Sequence, residues 1–107
     1  ELAPDLLRDA DQWVRLYAVM ALRRVGEASA APMLLAATAD PDYTVRVAAV
    51  QAIDALKQAE ALPAQLTSDP SMHVRAAVAT AYGNSSKVAE AQLLAPMQVL
   101  QVSALAL

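Results

Sequence analysis

The sequence has no cysteine and no phenylalanine, and only one histidine and two glycines in 107 residues. Without cysteine, disulfides, thiolate zinc sites and thiolate-bound iron–sulfur clusters are excluded. Aromatic residues make up 4% of the chain, and the residues that favour strands are scarce. Alanine, the strongest helix former, supplies about a quarter of all positions, so an all-α fold is expected. Positive charge is also short: 8 Lys and Arg against 11 Asp and Glu give a net charge of −3. Phosphate neutralisation needs clustered cations, so no nucleic-acid partner is expected. No basic leader with an apolar core opens the chain, which points to a cytoplasmic location. What is present is apolar, 57% hydrophobic with 18% charged, well outside the disordered class. Residues 1–107 amount to one domain at most.

The chain repeats itself. "DADQWVRLYAVMALRRVG" from Asp9, "DPDYTVRVAAVQAIDALK" from Asp40 and "DPSMHVRAAVATAYG" from Asp69 align without gaps, with leading aspartates 31 and 29 positions apart. Val-Arg follows at 14–15, 45–46 and 74–75. At 4, 7 and 8 positions past each valine stand Ala18, Ala49 and Val78, then Ala21, Ala52 and Ala81, then Leu22, Ile53 and Tyr82. Those offsets trace one face of an α-helix, expected to point inward.

A shorter helix is expected before each of these, opened by Pro4, Pro32 or Pro63, since proline is tolerated in a first turn. The leading Asp should cap the second helix, and Gly26 and Gly83 should stop it. The units are therefore placed at 2–26, 30–57 and 60–83, with a partial fourth at 85–107. That fourth unit, "SSKVAEAQLLAPMQVLQ", could be capped by Ser85 or Ser86 and should break at Pro96. From Ala91 to Leu107 there is no charge, but the run holds three glutamines and Pro96 and falls short of the ~20 apolar residues of a membrane span. It reads as an inner helix to be covered by adjacent repeats or a second chain, which marks the chain as a fragment.

The pattern Asp-Pro-Asp, two residues, Val-Arg, then alanine-rich positions, carried by "DPDYTVRVAAVQAIDAL", resembles the short HEAT-like repeats of phycobilisome lyases and many bacterial proteins. The resemblance implies a right-handed α-solenoid of stacked antiparallel hairpins, about three and a half repeats long, with the second helices on its concave side. It implies a non-catalytic scaffold that binds a protein or peptide on that concave face. The alternative is a fragment of a lyase-like or other HEAT-containing enzyme whose chemistry lies outside this chain. A third reading is a purely structural filler within an assembly. Relatives with an iron–sulfur cluster need cysteines, and the di-iron hydroxylases need His-Glu pairs, whereas His73 is followed by Val74.

Arg15, Arg46 and Arg75 recur in register, as a scaffold group does and a catalytic one does not. At the start of the second helix each can donate to the carboxylates of Asp9 or Asp11, Asp40 or Asp42, and Asp69, or to end-of-helix carbonyls. Positions that break the repeat symmetry are the candidates for partner binding: Trp13, Tyr17, Met20, Arg24, Gln51 and His73. Trp, Tyr and Arg are enriched in interface hot spots, although Trp13 and Tyr17 would equally serve to pack against a preceding repeat. His73 has no second His and no Cys beside it and reads as a surface residue. No Gly-rich phosphate loop, EF-hand or zincin spacing occurs, so no catalytic residue, metal or cofactor is expected.

Overall fold

The computed structural model describes residues 3–85. The expected fourth unit, with its apolar tail, lies outside the described residues. Among the described residues five α-helices run in order: α1 (Ala3–Leu6), α2 (Gln12–Val25), α3 (Ala31–Ala37), α4 (Tyr43–Ala55) and α5 (Met72–Asn84). The long helices lie side by side, α2 on α4 and α4 on α5, with α3 against α4 and, more lightly, α2. No strand occurs among the described residues.

Pro4 and Pro32 stand in the first turns of α1 and α3, where no intrahelical N–H is lost. The third unit departs from the expectation. Leu62, ahead of Pro63, is driven to an extended conformation (φ −63°, ψ 135°), and the segment splits into 3₁₀ turns at Ala59–Ala61 and Ala64–Ser68. Ala59, Leu62 and Leu66 are still buried, so the short turns occupy the place of a helix and pack on α5.

Helix starts also differ from the reading above. The caps are Asp11, Asp42 and Ser71, two residues past each leading Asp, and they accept the N–H groups of Trp13, Thr44 and His73 at 2.8, 2.8 and 3.2 Å. The leading Asp stands one turn earlier: Asp9, Asp40 and Asp69 accept the N–H of Asp11, Asp42 and Ser71 at 2.8, 2.9 and 2.9 Å. Two successive side-chain turns thus hand the chain from loop to helix and leave the second carboxylate oxygen of the leading Asp available.

Gly26 ends α2 in the left-handed region (φ 72°), its N–H on the Leu22 carbonyl. Gly83, expected as a stop, is the last residue but one of α5, which ends at Asn84. The place of Gly26 in the second unit is taken by Lys57, also left-handed (φ 60°). Lys57 N–H bonds Asp54 O at 2.8 Å and Gln58 N–H bonds Ile53 O at 3.1 Å, closing the end of α4 as a Schellman turn.

α4 is the centre of the core, with Val45, Ala49, Val50, Ala52 and Ile53 all fully buried. α5 buries Val74, Val78 and Ala81, whereas α2 buries only Ala18 and Val19. Ala21, expected inward, is exposed, and Val14 and Leu22 are half-buried. Among the described residues α2 has a long helix on one side only, so the same alanine that is enclosed at 52 and 81 meets solvent at 21.

Candidate functional site

The three arginines make a regular feature that uses two kinds of acceptor, leading Asp carboxylates and turn carbonyls. Arg15 does not bond the carboxylate of Asp9. Its Nε and Nη2 donate to Asp40 Oδ2 and Oδ1 at 2.8 and 3.1 Å, one unit further along. Arg46 does the same to Asp69, at 3.0 and 3.0 Å. In both, Nη1 turns back to the unit's own turn: to the carbonyls of Asp9 and Ala10 at 2.8 and 3.2 Å, and of Asp40 and Pro41 at 2.8 and 3.1 Å. Each guanidinium therefore ties two units together with a two-pronged ion pair. The reason lies in the turns: the Asx geometry aims the leading carboxylate outward, and stacking brings the preceding arginine over it. Among the described residues Arg75 keeps only the inward bond, from Nη1 to Asp69 O at 2.6 Å. Asp11 and Asp42, the alternative acceptors, are occupied as caps.

Burial alone would raise the Asp69 carboxyl, but the Arg46 guanidinium, the Ser71 N–H and the charges of Arg46 and Arg75 hold it below its ordinary value. The Asp42 carboxyl is likewise lowered, by the hydroxyl and then the N–H of Thr44.

The feature best shaped for a partner is a groove of about 370 Å³ between α2 and α4. Leu16, Met20 and Arg23 form one wall, and Thr44, Val47, Ala48 and Gln51 the other. Tyr43 and His73 close one end, their rings stacked with centroids 5.5 Å apart and planes 21° from parallel. Leu16 and Val47 occupy the same column of two successive repeats, as do Met20 and Gln51, so the groove is the seam between units. Arg23 and Arg24 make no ion pair among the described residues.

Of the residues singled out in sequence, Met20, Gln51 and His73 line this groove. Tyr17 and Arg24 border a separate hollow on the other flank of α2, with Ala21 and Val25, and Met20 and Arg23 edge both. Trp13, 53% exposed, lies in the first turn of α2, outside the groove lining. Tyr43 lies in the first turn of α4 and stacks on His73. The repeat register alone does not pair them, since Tyr43 stands three positions past its leading Asp and His73 four past its own.

Among the described residues no three His, Asp or Glu gather as a metal site, and no helix is long and apolar enough to cross a membrane. A family model described as HEAT repeats matches residues 1–64. No curated protein and no solved structure matches the chain.

Proposed function

This chain belongs to the HEAT repeat family, and from that premise we propose that it is a non-catalytic scaffold that binds a protein segment in the groove between α2 and α4. HEAT repeats commonly serve as protein-interaction scaffolds. The observation that carries the reading is the composition of the groove: an aliphatic floor of Leu16, Met20 and Val47, a polar rim, and one cation, Arg23, with no ion-pair partner among the described residues. Such a groove suits a segment that sets an aliphatic or aromatic side chain on the floor and a carboxylate against Arg23. Tyr43 and His73 offer that segment a flat end wall. The wider arrangement belongs to the same proposal: a right-handed solenoid of short, lyase-type repeats, with α2, α4 and α5 on its concave side.

A random peptide display library, selected against the full chain, tests this directly. Bound peptides should share an apolar residue followed within a few positions by Asp or Glu. Val47→Glu should abolish binding of the selected peptides, and Arg23→Glu should shift the selected flank from acidic to basic. Binders indifferent to both substitutions would place recognition elsewhere on the chain.

A further inference from the structure

The groove between α2 and α4 has two chemically different ends. Arg15 at the start of α2 pairs with Asp40 just ahead of α4, and Arg46 at the start of α4 pairs with Asp69 ahead of α5. The helix starts therefore lie together, and the packed helices run the same way. The Tyr43–His73 stack, in the first turns of α4 and α5, stands at the starting end. Arg23, in the last turn of α2, stands at the other. Between them come two steps, Leu16 beside Val47 and then Met20 beside Gln51. Arg23 is seven residues past Leu16, about 10 Å along the axis at the usual helical rise. No Asp or Glu lines the groove, so nothing in its walls offsets the cation.

That length selects the shape of the chain that can lie there. In a β-strand, residues on one face recur at about 6.6 and about 13 Å, and neither reaches from the Leu16 step to Arg23. In a polyproline II segment, residues on one face recur every third position, at about 9.3 Å, which does. A helix would span the same two points with residues seven apart, but its backbone bonds are closed internally. A polyproline II backbone has no internal bonds, and the exposed Gln51 amide stands where it can donate to one of its carbonyls.

On the premise that the groove holds a protein segment, we infer that this segment is a polyproline II stretch with an aliphatic residue and, three positions on, an Asp or Glu. The aliphatic side chain sits between Leu16 and Val47 against the Tyr43–His73 rings, and the carboxylate meets Arg23. Proline suits the two positions between, because its φ is already set and its carbonyl still accepts from Gln51.

Capped peptides titrated into the full chain and followed by NMR test the spacing. A Leu-Pro-Pro-Glu peptide in a Gly-Ser flank should bind tightest, with one or three prolines between Leu and Glu about tenfold weaker, as when a charge-assisted bond is lost. Changing its Glu to Gln should weaken binding about tenfold on the native chain and not on Arg23→Gln. Arg24→Gln makes the same change of net charge on the other flank of α2 and should keep the Glu preference. Val47→Glu should abolish binding of every peptide, and circular dichroism confirms that each variant is folded. Equal affinity across the spacings, a preference for a helical peptide with Leu and Glu seven apart, or a Glu preference lost equally in Arg23→Gln and Arg24→Gln would overturn the inference alone. So would a native chain that binds none of these peptides while library-selected binders are still abolished by Val47→Glu. Binders indifferent to Val47→Glu would overturn the groove reading and the inference with it.

Discussion

Replacing Arg46 by Ala removes four hydrogen bonds: two to the Asp69 carboxylate and two to the carbonyls of Asp40 and Pro41. The Arg46 and Asp69 side chains are 15% and 7% exposed, so water replaces the lost donors poorly. Asp69 would keep the Ser71 N–H alone. Breaking one side of a fully buried pair costs about 3–5 kcal/mol; the residual exposure here lowers that to about 2–4 kcal/mol. For a chain of this length the melting temperature should fall by roughly 10–20 °C. Arg75→Ala supplies the control. It sits in the same column but is exposed, with a single bond among the described residues, to a carbonyl, so its loss should cost no more than about 1 kcal/mol. Urea unfolding of both variants, of Asp69→Ala and of the Arg46→Ala/Asp69→Ala double variant gives the coupling directly, expected at about 1–3 kcal/mol. Equal losses for Arg46→Ala and Arg75→Ala would refute the inter-unit wiring, because only that wiring distinguishes the two arginines.

Three further outcomes follow from the same geometry. Lys57→Gly should stabilise the chain by about 0.5–1 kcal/mol in thermal unfolding, since a left-handed lysine is relieved at the position where the first unit uses Gly26. Asp69→Asn should flatten the acid limb of the stability curve. The folded pKa of Asp69 is depressed, so its contribution is present above the unfolded value near pH 4 and is lost as pH falls through the folded value. The variant should therefore be weaker than the native chain at pH 7 and converge on it below about pH 4. Ile53→Ala, at the centre of α4 and fully buried, should cost about 2–5 kcal/mol in urea unfolding, depending on how far the neighbours collapse into the space.

How much of this was legible in the sequence depends on whether a feature is local or belongs to the stack. The second helices were legible because their buried face recurs at helical spacing in three copies, and Val45, Ala49, Ala52 and Ile53 are indeed enclosed. The helix caps were half legible. In "DADQ" and "DPDY" both aspartates are good caps, and the "DPSM" unit, with Ser71 in the second place, held the clue to which one acts. Pro63 was misread because proline fits both a first helical turn and the residue after an extended one, and the choice fell to Leu62. The partner of each arginine was not legible. A carboxylate six positions back and one 23 or 25 positions ahead are equally possible acceptors on paper, and only the placement of the next turn over the helix start decides. Ala21 and Ala52 make the same point most simply. They occupy the same column in nearly the same local sequence, yet one is exposed and the other fully buried. Burial in a stacked fold is a property of neighbouring pairs, so the sequence of one unit read alone does not state it.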